Sequence, residues 1–91
     1  MDKNQAKVEI DKLKQQLVKL KESHKRDNDN NKYQLDSLKK SASIQTNPSA
    51  KNNAKIQIAS KKDNMARVKS GQASEVKRVQ EQIERIKNSI K

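Results

Sequence analysis

The sequence predicts an all-α fold, a long antiparallel two-helix hairpin that is coiled-coil-like and internally duplicated. Three observations support this prediction: apolar residues recur at spacings of three and four, the two halves align at an offset of 48 residues, and one Asn-Pro pair separates them. We expect residues 1–91 to form a single helical hairpin. Its parts are a first repeat at 1–43, a turn at 44–48 and a second repeat at 49–91.

The apolar spacing defines one stripe along each predicted helix. Spacings of three and four residues place these side chains on one helical face, at positions a and d of a heptad. This helix-pairing seam consists of Ile10, Leu13, Leu17, Leu20, Leu35, Leu38, Ile58, Met65, Val68, Val76, Val79, Ile83, Ile86 and Ile90. Because each helix has only one narrow apolar stripe, we expect a small core and a chain that is marginally stable alone or dimeric.

The two halves share identical residues at aligned positions and also the same heptad frame. At the offset of 48 residues, ten of the 43 aligned positions are identical. Both halves keep one frame if a single extra four-residue step is allowed, at His24/Asn28 in the first and Gln72/Val76 in the second. Such a stutter locally relaxes a left-handed supercoil. A duplication explains this agreement, and coincidence between low-complexity sequences is the alternative.

Each half also contains a candidate break. Segment 23–32 is polar throughout and poor in helix formers, so a loop or a frayed helix is an alternative there. In segment 70–74, Gly71 and Ser74 have the chemistry to end one helix and cap the next, although continuity is slightly favoured.

The connection between the halves contains Asn47 followed by Pro48. Asparagine is a good N-cap, and proline is well suited to the first helical position. One helix should therefore end near Ser43 and the next begin near Pro48. So short a connection favours an antiparallel hairpin.

Folding the chain at this turn predicts which parts of the seam meet. Ile10 should approach Ile83, so the free ends hold the best core. Asn28, Asn31 and Lys61 should leave the middle of the hairpin polar.

A one-sided charge pattern flanks the seam. Nine of the ten e positions are lysine, whereas no g position is basic. This partner-binding basic edge consists of Lys7, Lys14, Lys21, Lys32, Lys39, Lys55, Lys62, Lys69 and Lys87. An antiparallel pair brings e positions together and so opposes like charges. We therefore expect either two copies with like halves parallel or an acidic partner. The alternative is that the aliphatic lysine stems merely cover the border of the seam.

The residues that catalysis and metal binding require are scarce. The chain has no cysteine, one histidine (His24) and one glycine (Gly71). His24 falls in the polar stutter layer, where a solvated or hydrogen-bonded role is favoured over a general base. We predict that the chain is not an enzyme and has no catalytic, metal or cofactor site. No apolar run is long enough to span a bilayer.

The net charge of the chain indicates what kind of partner it binds. With 22 basic and 11 acidic side chains, the formal net charge is +11. We predict a non-enzymatic helical protein–protein interaction module, of the adaptor, assembly-factor, chaperone or secretion-partner type, that pairs its seam and basic edge with a helical, acidic protein or a second copy. Non-specific, salt-sensitive binding of nucleic acid is the alternative. The expected location is the cytoplasm, or outside the cell by a route that needs no signal peptide.

In size and hairpin architecture the chain resembles the WXG100-like group, small helical hairpins that travel with specialised secretion systems of Gram-positive bacteria. The resemblance implies a secretion partner as a further alternative. The chain departs from the group's motif, since it has no tryptophan, carries Asn47-Pro48 at the turn and is strongly basic.

Overall fold

The computed structural model describes residues 2–90, and two α-helices account for nearly all of them. Helix α1 spans Lys3–Ser43 and helix α2 spans Pro48–Ser89. The helices pack against each other as an antiparallel hairpin, and residues 2–90 contain no strand. The predicted all-α two-helix fold is therefore confirmed.

Both helices begin at a residue that caps them. The Asn47 side-chain oxygen Oδ1 accepts a hydrogen bond from the Ser49 backbone N–H at 2.9 Å, and the Asn47 carbonyl accepts one from the Lys51 N–H at 2.9 Å. Asp2 begins α1 in the same way, with its carbonyl accepting from the Ala6 N–H at 2.9 Å. Asn47 is thus the N-cap that the sequence predicts, and Pro48 is the first residue of α2 rather than part of the turn.

The helices end near serine residues that bond back to the preceding turn. The Ser43 hydroxyl donates to the Lys40 carbonyl at 2.7 Å, and the Ser89 hydroxyl donates to the Ile86 carbonyl at 2.7 Å. These bonds satisfy carbonyls that have no partner within a helix. The end of α1 at Ser43 lies where the sequence places it.

Neither candidate break exists. α1 continues through segment 23–32 and α2 continues through segment 70–74, so the alternatives of a loop and of a new helix start are wrong. Gly71 is helical, and no residue from 2 to 90 has a positive φ. The reason is tertiary packing, which overrides weak local propensity: Asn28 and Asn31 are half-buried and Gln72 is buried.

The hairpin consists of two compact units. The terminal unit combines Met1–Lys25 with Gly71–Lys91, and the turn unit is Arg26–Ser70. The terminal unit contains a cluster of buried apolar residues, with half-buried ones packed against it. Its members are Ile10, Val79 and Ile83, with Leu13, Leu17, Leu20 and Ile86 around them. Ile10 and Ile83 thus share one cluster, as the hairpin register predicts.

The turn unit combines an apolar and a polar layer. Leu35 is buried there, at 9% exposure. The polar layer lies beside Leu35. There the half-buried Lys61 of α2 donates from its ammonium Nζ to two oxygens of α1, Asn31 Oδ1 at 2.9 Å and Gln34 Oε1 at 2.6 Å. Of the expected polar residues, Asn31 and Lys61 are joined by a hydrogen bond to a charged group, which is stronger than a bond between neutral groups, and Asn28 is half-buried.

Candidate interaction surface

The structure places every residue of the predicted seam in a buried or half-buried position. Ile10, Leu35, Val79 and Ile83 are buried, and all other seam residues are half-buried. Among residues 2–90 no large side chain is fully buried. The two helices therefore cover the seam only in part, because a pair of helices encloses each stripe from one side.

Two buried residues lie outside the predicted seam. Ala6 has no exposed surface, and Gln72 is 9% exposed. Ala6 occupies a d position and Gln72 an a position of the heptad frame. A seam chosen by side-chain hydrophobicity leaves both out, whereas the frame itself includes them.

The stutter layer of the terminal unit holds the only histidine. The His24 side chain is 14% exposed, and its Nε2 lies 3.7 Å from Glu75 Oε2. The contact is an ion pair only when the imidazole is protonated. His24 thus lies between the helices and faces Glu75, in the stutter layer where the sequence places it.

All nine lysines of the basic edge are exposed. In the terminal unit Lys7, Lys14 and Lys21 follow each other at heptad spacing along α1. In the turn unit Lys55, Lys62 and Lys69 do the same along α2. Side chains seven residues apart lie on the same helical face, so each set forms a row of ammonium groups.

Few carboxylates neutralise this edge. Among residues 2–90 the only edge lysine in an ion pair is Lys87, whose Nζ lies 3.7 Å from Glu84 Oε1 on the same helix. An exposed pair of this kind contributes little. The edge thus keeps most of its positive charge for an external anion.

The longest stretch without a carboxylate surrounds the turn. The sequence contains no acidic residue between Asp36 and Asp63. The same stretch carries Lys39, Lys40, Lys51, Lys55, Lys61 and Lys62. Asp63 is itself paired, with its Oδ2 lying 3.2 Å from Arg67 Nη2. A surface of one sign attracts opposite charges over about one Debye length.

On the opposite side of the turn unit, every g position except Asp27 carries an uncharged side chain. Four g positions define what we call the amide edge: Gln34, Ser41, Gln57 and Asn64, all of them exposed. The nearest charge is the Lys61 ammonium, which is held by Asn31 and Gln34. Charge segregation in the sequence therefore gives the turn unit one lysine-rich edge and one edge whose g positions include no base.

Other kinds of site have little support in the described part of the chain. Residues 2–90 contain no helix apolar and long enough to cross a membrane. Within the same range no three acidic or histidine side chains are grouped so as to hold a metal ion. Comparison with protein-family models, with curated proteins and with solved structures gives no match.

Proposed function

We propose that this chain is a non-enzymatic helical interaction module that binds an acidic helical protein. The observation that supports the proposal best is the exposed basic edge, nearly free of ion pairs, beside a seam that is only partly covered. Docking of an amphipathic helix on an apolar stripe is a recurring mode of helical recognition, and it fits an adaptor, assembly factor, small chaperone or secretion partner.

The seam would provide the apolar part of this interaction. Leu13, Leu17 and Leu20 are half-buried in the terminal unit, and Leu38 and Ile58 are half-buried in the turn unit. A third helix packed against such a stripe removes more apolar surface from water. Each Å² of apolar surface so buried contributes about 25 cal/mol of favourable free energy. Burial of this surface would supply most of the affinity.

The basic edge would provide orientation and selectivity. A partner helix with glutamates facing the edge meets a lysine once per heptad, and each exposed pair contributes about 0.5 kcal/mol. Like charges on a wrong partner are repelled, and opposite charges raise the association rate. Because these pairs are exposed, salt should weaken the interaction.

The test uses a synthetic amphipathic peptide with glutamate at its e and g positions, and a copy with glutamine at those positions. Binding is measured by isothermal titration calorimetry at low and at physiological salt. We expect the acidic peptide to bind more tightly and to lose affinity as salt rises. Equal affinity for the two peptides would refute the proposal.

Matched variants locate the binding surface. The edge variant replaces Lys14, Lys62 and Lys69 by glutamine. The control replaces Lys12, Lys19 and Lys40, which are equally exposed but lie outside the edge. Three pairs at about 0.5 kcal/mol each correspond to a roughly tenfold loss of affinity for the edge variant. An equal loss in the control would show that only total charge matters.

The secretion-partner form of the proposal is supported by architecture. The chain forms two helices of 41 and 42 residues joined by a short turn, the architecture on which the resemblance to the WXG100-like group rests; no family model or solved structure matches the chain. A tagged chain should then reach the medium of a Gram-positive host that has a specialised secretion system. Equal amounts in the medium of a host lacking that system would exclude this form.

Non-specific nucleic-acid binding is the second candidate, and the acid-free stretch between Asp36 and Asp63 favours it. Phosphate backbones are held by such lysine-rich surfaces without regard to sequence. Against it, the chain has 18 lysines but only four arginines, and a single aromatic residue. A gel-shift titration with random duplex DNA, run from low to physiological salt, tests this candidate, and the absence of a shift at low salt excludes it.

A further inference from the structure

The amide edge of the turn unit differs from the rest of this basic chain. It consists of side chains that both donate and accept hydrogen bonds, namely Gln34, Ser41, Gln57 and Asn64. Lysine, by contrast, only donates. Two lysine edges therefore repel each other and form no hydrogen bonds, whereas two amide edges can bond to each other.

Exposed apolar side chains flank this edge. Tyr33 is 74% exposed and Ile56 is 60% exposed, so each leaves most of its surface in water. Tyr33 lines one shallow groove together with Gln34, Ser37 and Ser41, and Ile56 lines a second groove with Gln57, Ser60 and Asn64. The half-buried Leu38 and Lys61 line both grooves. Aromatic side chains are enriched at the centres of protein interfaces.

The occupant of these grooves follows from the charges. The cation that lines both grooves, Lys61, is already bonded to Asn31 and Gln34, so these grooves offer an acidic partner little attraction. A second copy of this chain carries the same net charge of +11 and must approach along a side without exposed lysines. The amide edge is such a side, and its hydrogen-bonding groups are complementary to themselves.

We propose that the amide edge of the turn unit, with Tyr33 and Ile56, binds a second copy of this chain. A two-fold arrangement brings the same residues of both copies together, which is the commonest form of homodimer. The two basic edges then point away from the contact and stay free for an acidic partner. The inference does not depend on the proposed function, although Leu38 belongs both to the seam and to these grooves.

The first test is the concentration dependence of mass, measured by sedimentation equilibrium with the full chain. We expect a monomer–dimer equilibrium that is unchanged or strengthened by salt, because salt screens the repulsion between two basic copies. A chain that stays monomeric up to about 1 mM, the range of weak association, would overturn the proposal.

Two variants add the same positive charge to α2 on different sides. Gln57→Lys places a lysine in the amide edge, and Ala59→Lys places one at an exposed b position outside it. In a two-fold dimer the first change introduces two opposed charges, so we expect dimer affinity to fall roughly tenfold or more. Ala59→Lys should change it less than about threefold. Equal losses in both variants would show that the dimer forms elsewhere. Circular dichroism establishes that both variants are as helical as the parent.

The single tyrosine provides a direct probe of proximity. Each chain has one tyrosine, so any dityrosine must join two chains. Photo-oxidative crosslinking at dimer-forming concentrations should give dityrosine and a covalent dimer, and Gln57→Lys should reduce the yield. A dimer that forms without dityrosine would place Tyr33 away from the interface and refute the proposal. Acidic-peptide binding is measured separately, so failure here leaves the proposed function to stand or fall on its own result.

Discussion

The substitution Val79→Ala tests how much of the stability comes from the apolar cluster of the terminal unit. Val79 is 6% exposed and belongs to the buried cluster with Ile10 and Ile83. Val18, in the same unit, is 57% exposed. The same substitution at Val18 is therefore a matched control, equal in side-chain chemistry and opposite in burial.

The expected difference follows from burial. Valine to alanine removes two methyl groups, worth about 1.6 kcal/mol when fully buried. Nearly all of this applies at Val79 and less than half at Val18. Both variants gain about 0.5 kcal/mol from the higher helix propensity of alanine, so this gain cancels in the comparison. We expect Val79→Ala to lower the free energy of unfolding by about 1 kcal/mol and Val18→Ala to leave it nearly unchanged.

Urea unfolding followed by far-UV circular dichroism measures both values. The chain should be dilute enough to be monomeric, so that association does not contribute. The slope of free energy against urea should be the same in the parent and both variants, since they expose similar surface. Equal destabilisation by the two substitutions would refute the conclusion that the cluster stabilises the terminal unit.

Three further substitutions probe single features of the helices. Gly71→Ala should raise the free energy of unfolding by about 0.5–1 kcal/mol, because Gly71 is helical and nothing lies within 4 Å of an added Cβ; a lower melting temperature would contradict this. Asn47→Ala should lower the free energy of unfolding by about 1 kcal/mol, because the 2.9 Å hydrogen bond that caps α2 at Ser49 is lost. Asn47→Asp should keep this hydrogen bond, so equal losses of stability in the two variants would contradict the capping role. Lys61→Met keeps the aliphatic stem and removes a half-buried charge, so the urea midpoint should be unchanged or higher, whereas a loss above about 1 kcal/mol would show that the bond to Asn31 is a main source of stability.

The heptad pattern predicts the fold of this chain well because it reports directly on burial. Leu35 and Leu38, chosen only by spacing, are buried and half-buried, and Lys39 beside them is exposed. Asn47-Pro48 predicts the start of α2 because the cap and the first turn are local chemistry.

Helix continuity was harder to predict, since it depends on packing against the other helix. Segments 23–32 and 70–74 have weak local propensity, yet both are helical. Asn31 and Gln72 become favourable helix residues only once the facing helix is present to pack and bond with them. The amide edge was visible in the sequence as a lack of bases at g positions, but its apolar flanks were not. Tyr33 and Ile56 lie outside the a/d frame, and only the structure shows them lining the same grooves as Leu38.

The polar layer explains why such a repetitive sequence forms one hairpin. Apolar a and d positions alone would tolerate a slip of one heptad between the helices, because leucine meets an apolar residue in either register. Lys61 prevents this. In the observed register its ammonium has two oxygen acceptors, Asn31 Oδ1 and Gln34 Oε1. A shift of seven residues along α1 would place it opposite Leu38, and both charge-assisted hydrogen bonds would be lost. At the offset of 48 residues the counterpart of Lys61 is Leu13, so only one of the two similar halves carries this constraint. Lys61 thus favours one pairing of α1 with α2 while adding little to the free energy of unfolding. Lys61→Met should allow other pairings of the two helices, even where it raises the urea midpoint.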